Sequence, residues 1–337
     1  MNNLVSNTGY YKAKGLTLVE LMISMSIGLV LFAGVMTVFV GMRTTTAETS
    51  SYGELQENGR FAVSVLTDDL LRQNFWGDLS GTFSQNSLIE IPGPPGNDCV
   101  GEGVNNATFP QAIGPFRTLW GQTIVDGALD PLGCFIMPTN TRTAIGSDII
   151  QLKRVISNPV AVGAAGNYYL TANLSSGAIF ANGAAIPAID NSRFWQYQHH
   201  IYYVREASVG NEFVPVLMQG RLANFRMDFA PIIDGIERIR FMYGVDTDTD
   251  PSQAGYGIVN AYISADNMTQ AYWDNAGGMR VLAVKVFVLA RETTPDNNYT
   301  NTNTYQLGDQ SYTVNDNFRR LLFSSTVTLY NSDVGTF

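Results

Sequence analysis

The chain has 337 residues, 20 basic and 29 acidic, for a formal net charge of −9. Four lysines (Lys12, Lys14, Lys153 and Lys285) stand beside sixteen arginines. This is not the basic footprint with which a sequence-independent nucleic-acid binder neutralises phosphates, and no direct nucleic-acid binding is expected. With 45% hydrophobic and 15% charged residues, disorder cannot describe the whole chain.

In chain order, the first element is a polar stretch, residues 1–15, with Lys12 and Lys14 and no acid. An apolar run follows over 16–42, in which only Glu20 is charged. Its uncharged part, 21–42, makes about 33 Å of helix at ~1.5 Å per residue. That matches a hydrocarbon core about 30 Å thick. The lysines before the span keep the amino end cytoplasmic and send the rest across the membrane. A cleaved secretory signal has an apolar region of only about 7–15 residues and a small-residue cleavage site. Here the run is longer, an acid sits in it, and MRTTTAETS at 42–50 is a poor site. A plain anchor leaves Glu20 unexplained, since an acid within a bilayer costs several kcal/mol.

The string KGLTLVE at 14–20 resembles the type IV prepilin processing site. The resemblance implies cleavage by a prepilin peptidase between Gly15 and Leu16, and methylation of the new amino terminus. Glu20 then stands at the fifth mature position, where that family keeps a Glu. Cleavage creates an ammonium at Leu16, and pairing Glu20 with the ammonium of a neighbouring subunit offsets part of the cost of burying both. Leu16 departs from the family's usual Phe. Processing is expected to accept this apolar substitute, and methylation of Leu16 stays open.

Beyond residue 42 the helix is expected to continue as an amphipathic half over 43–76. Leu55, Ala62, Leu66 and Leu70 recur at helical spacing, and Phe61 and Val65 widen the stripe. The stripe is the face on which a globular head rests. The helix should close near Trp76 and Gly77.

The remainder, 77–337, reads as one large β-rich head. Strand-like runs lie at 148–156, 194–205, 212–218, 236–243, 281–291 and 321–330. Val284, Val286 and Val288 alternate with Lys285, Phe287 and Leu289, a strand buried on both faces. The segments 157–192 and 292–316, rich in small and polar residues, read as loops. The expected fold is α+β and pilin-like, a long amino-terminal α-helix packed on a large antiparallel β-rich head. Whether the head is one extended sheet or two lobes is left open.

ELQENGRFAVSVLTDDLLRQNFWG at 54–77 and DGIERIRFMYGVDTDTD at 234–250 resemble the PilW-like minor pilins. So do AYWDNAGGMRVLAVKVFVLARE at 271–292 and FRRLLFSSTVTLYN at 318–331. This implies a structural protein that primes pilus assembly and sits at or near the tip, in support of twitching motility, adhesion or DNA uptake. Implied partners are other minor pilins, the major pilin, the prepilin peptidase, the inner-membrane assembly platform and the membrane itself. The implied location is the inner membrane with the head periplasmic, then the pilus. The J-type minor pseudopilin of type II secretion shares the architecture and remains a competitor. A membrane-anchored periplasmic enzyme or ligand-binding module is the alternative of another class. It lacks support from a nucleophile elbow, a phosphate-cradling loop or a zinc-protease motif.

Three clusters remain. Cys99 and Cys134, the only cysteines, are expected to form a disulfide in an oxidising compartment. Asp246, Asp248 and Asp250 form D-x-D-x-D, a spacing that suits a hard cation such as calcium. Pro251 and Gly257 break the EF-hand pattern, and the alternative is a solvated acidic turn. His199 and His200 are adjacent on a strand, so they should face opposite sides and not form one dyad. No cofactor is required and no catalytic residue is assigned.

Overall fold

Helix α1 runs unbroken from Leu18 to Leu71 in the computed structural model, which describes residues 15–127, 130–135, 137–210, 212–248, 250 and 252–331. The expected leader therefore lies, apart from Gly15, outside the described residues. No proline precedes Pro92, so nothing interrupts the backbone ladder. The chain divides into two compact units, Met1–Gly53 and Glu54–Phe337. In the first, the large apolar side chains of α1 are exposed, Leu29 and Phe32 by 67% and 61%. By length and composition α1 is the one described helix able to cross a membrane.

In the second unit the stripe behaves as its period predicts. Leu55, Ala62, Leu66 and Leu70 are buried. Phe61 does not widen it, however, and is 46% exposed. One residue from Ala62 is about 100° around a helix, which turns Phe61 away from the head. Gly59 is buried in its place, and a Cβ there would overlap the ring of Phe323.

Helix α1 stops at Leu71, short of the expected Trp76. The cause is tertiary capture. Asn74 enters the left-handed region (φ 58°), its N–H donates to Lys153 O, and Phe75 O accepts from Val155 N–H. The chain after Leu71 is thus pulled onto a strand edge before another turn can form.

The strands are β1 (Leu88–Glu90), β2 (Leu119–Thr123), β3 (Thr141–Thr143), β4 (Asp148–Val155), β5 (Tyr168–Ala172), β6 (Gly177–Ala181), β7 (Arg193–Val209), β8 (Glu212–Ala223), β9 (Arg226–Asp234), β10 (Ile236–Asp246), β11 (Ala261–Ser264), β12 (Arg280–Arg291), β13 (Thr304–Leu307), β14 (Gln310–Thr313) and β15 (Arg320–Thr328). A nine-stranded sheet runs β1-β6-β5-β7-β4-β2, with β3 and the β8-β9 pair joined through β7. The 17-residue β7 can hold four partners because they meet different parts of its length. All pairings but β1 with β6 are antiparallel. A second sheet has the order β11-β10-β12-β15. One continuous core joins both sheets to α1. The fold is α+β, as expected, and the head is two sheets on a shared core.

Two expected loops prove to be structured. Segment 157–192 contains the β5-β6 hairpin, whose turn is held by the Asn173 side chain accepting from Ser175 and Ser176 N–H. Segment 292–316 contains the β13-β14 hairpin, turning at Gly308 and Asp309. Its Leu307, Tyr305 and Tyr312 pack on Met242, Phe287 and Leu289. This hairpin covers the second face of β12, so the two-sided burial expected for 284–289 holds at Phe287 and Leu289, while Lys285 is half-buried.

Candidate functional site

At the amino end, Gly15, Leu16 and Thr17 precede the helix as non-helical chain. Leu16 is 75% exposed, and no neighbour crowds Gly15. Thr17 is the helix cap. Its Oγ1 accepts from Glu20 N–H at 3.3 Å, and Glu20 Oε2 accepts from Thr17 N–H at 3.4 Å. This is a capping box, which satisfies two backbone donors reciprocally. The T-x-x-E spacing was legible at 17–20, but the acid had been read only for its charge.

A second constellation was missed by the sequence reading. Asp69 lies on the buried side of α1, its side chain 4% exposed. Its Oδ1 accepts from Arg154 Nε at 2.7 Å. Its Oδ2 meets His200 Nδ1 at 2.6 Å and accepts from Tyr202 OH at 2.9 Å. Burial alone would raise the Asp69 carboxyl, but His200 and Arg154 outweigh it and hold it well below the usual carboxylate range. The signal in the sequence was its position, three residues past Leu66 on the stripe.

His199 and His200 do face opposite sides. His200 turns to α1, whereas His199 is fully buried beneath the loop that carries the disulfide. Cys99 and Cys134 are bonded, with Cα atoms 5.0 Å apart and a sequence separation of 35. A loop of this length stabilises by roughly 4 kcal/mol in the chain-entropy account. Beneath it, Gln151 Nε2 lies 2.7 Å from His199 Nε2, and Thr108 Oγ1 lies 2.8 Å from His199 Nδ1. Thr108 Oγ1 donates to Asp98 Oδ1 at 2.6 Å. The His199 ring thus has a partner at each nitrogen. Beside it Lys153 is fully buried, its Nζ donating to Asn106 O (2.8 Å) and Arg117 O (2.7 Å) over the Phe116 ring. Burial pushes both groups well below their usual pKa, with mutual repulsion adding to the effect on His199.

The sign follows. A folded pKa below the unfolded one means that the unfolded chain takes up a proton first, and stability is lost as pH falls. For His199 the loss begins near pH 6.5 and grows by about 1.4 kcal/mol per unit. Lowering the pH from 6.5 to 5 is therefore expected to cost about 2 kcal/mol. Urea midpoints across this range should show that slope in the parent chain and a shallower one in His199→Asn. Equal slopes would refute the assignment.

The three aspartates of 246–250 are engaged separately. Asp246 is buried and accepts from Asp248 N–H, Gly257 N–H and Arg280 Nη2. Asp248 accepts from Asn260, and Asp250 from Ser252. Among the described residues no group of three or more His, Cys, Asp or Glu side chains is placed to hold a metal ion.

Comparison with known families gives two matches. Residues 201–331 match the family described as Type IV Pilus-assembly protein W, and residues 11–36 match the prokaryotic N-terminal methylation motif. The first takes in 234–250, 271–292 and 318–331, and the second takes in 14–20. The stretch 54–77 lies outside both. No curated protein and no solved structure matches the chain.

Proposed function

We propose that this type IV pilus-related, minor-pilin-like chain is a minor pilin that primes assembly of a type IV pilus and remains at or near its tip. The observation that carries the reading is the union, in one chain, of an N-terminal methylation motif over 11–36, a helix able to cross a membrane, and a match to Type IV Pilus-assembly protein W over 201–331. In this reading the peptidase cuts between Gly15 and Leu16, and Leu16 becomes the terminal ammonium. Glu20 pairs with the ammonium of an adjacent subunit and so sets axial register. The head, periplasmic before assembly, presents its surface to other minor pilins and to the major pilin. The reading needs no catalytic residue and no cofactor.

The test is the intact mass of the chain from cells with and without the prepilin peptidase. The expected result is loss of residues 1–15 only where the peptidase is present, with one added methyl group if Leu16 is modified. The same uncut mass in both strains would overturn the proposal.

A further inference from the structure

β7 and β8 lie side by side with His200 opposite Arg221 and Tyr202 opposite Gln219. Because side chains alternate along a strand, Gln196, Gln198 and His200 share one face of β7, and Gln219 and Arg221 continue it on β8. Asp69 meets this face at His200 and Tyr202. Next to His200 the face borders a cavity of about 390 Å³, whose walls include Asn167, Gln196, Gln198, His200, Gln219 and Arg221. The assembly reading gives these residues nothing to do, since sheet faces that only pack are apolar.

Their bonding leaves capacity unused. Gln198 Oε1 is shut from solvent without a hydrogen-bond partner. Gln219 spends its Nε2 on Tyr202 OH, which leaves its Oε1. His200 uses Nδ1 on Asp69, which leaves its other ring nitrogen. Arg221 is exposed, and Asp228 opposite it on β9 gives its carboxylate to Arg226 at 2.8 Å.

We infer that this cavity binds a saccharide that carries a carboxylate. Each side-chain amide presents a donor and an acceptor, as sugar hydroxyls require of a partner. The Arg221 guanidinium offers the planar fork that pairs with a carboxylate by two parallel bonds. The volume falls in the range of small-ligand pockets. The site stands whether or not the chain enters a pilus, since all of its parts lie in the head.

The experiment is calorimetric titration of the full chain in detergent micelles with digalacturonate, and with cellobiose as the neutral control. Saturable binding of the acidic sugar is expected, with cellobiose about tenfold weaker or more. Arg221→Ala and Gln198→Ala should each weaken binding about tenfold while the thermal midpoint stays that of the parent. Arg221→Lys, which keeps charge without the fork, should also bind more weakly. Three results would each overturn the proposal: no saturable binding up to about 10 mM, equal binding of cellobiose, or unchanged affinity in Arg221→Ala.

Discussion

Replacing Asp69 by Ala is expected to destabilise the head by about 3–5 kcal/mol, as breaking a buried pair from one side does. The carboxylate is the common partner of Arg154, His200 and Tyr202, and Arg154 is itself only 7% exposed. Removing it strands a buried guanidinium and a phenol at the seam between α1 and the sheet. Asp69→Asn keeps the volume but removes the charge, and should recover only a minor part of the loss. Urea unfolding of the full chain in micelles measures it, and the double variant with Arg154→Ala should show strong non-additivity. A loss below about 1 kcal/mol in Asp69→Ala would place the pair among surface-like ion pairs and refute the buried-hub account. The pH dependence has a defined sign. The folded carboxyl lies below its unfolded value, so its contribution is complete above about pH 4 and disappears as the pH falls further toward the folded pKa. Acid loss above pH 4 therefore belongs to other groups, His199 among them.

The second large effect concerns Glu20, where the observed cap and the proposed charge pairing can be separated. Glutamine is as able as glutamate to complete a capping box with Thr17, but carries no charge. Alanine loses both. If pairing with a neighbour's ammonium governs assembly, Glu20→Gln and Glu20→Ala should both be cut by the peptidase, and both should fall about tenfold or more in sheared pili relative to the membrane fraction. Immunoblots of the two fractions read this directly. Parent-like incorporation of Glu20→Gln with loss of Glu20→Ala would assign the requirement to the helix cap instead.

These residues mark what could be read in advance. The apolar span follows from an unbroken uncharged run, the stripe at Leu55, Ala62, Leu66 and Leu70 and the opposed histidines each from a single local period, 3.6 or 2, and the structure agrees. The Cys99–Cys134 pairing followed from having only two cysteines in a chain expected to be exported. Asp69 could not be read in the same way. Its partners lie 85 to 133 residues away, so a polar residue on the stripe looks like the stripe's boundary until the sheet is in place. The end of α1 was misplaced for the same reason, since capture by β4 at residues 74–75 overrides local helix preference. The β5-β6 and β13-β14 hairpins were hidden by composition. Small and polar residues that lower strand propensity become adequate once one side of the strand is buried against a neighbour. The cavity beside β7 depends on alternation along two adjacent strands together, which no single run displays.

The seating of α1 on both sheets also has a mechanical meaning. Pulled along its axis, the helix hands tension to the head at two separated points. One is Gly59 against Phe323 of β15, and the other is Asp69 against Arg154 and His200. Near its end, Gln73 and Asn74 also exchange hydrogen bonds with Asn331, beyond the last strand. Entry and exit of the head are thus tied to each other. A pull on the helix shears several contacts at once in place of peeling one strand from its edge, and the two sheets share the force before either opens.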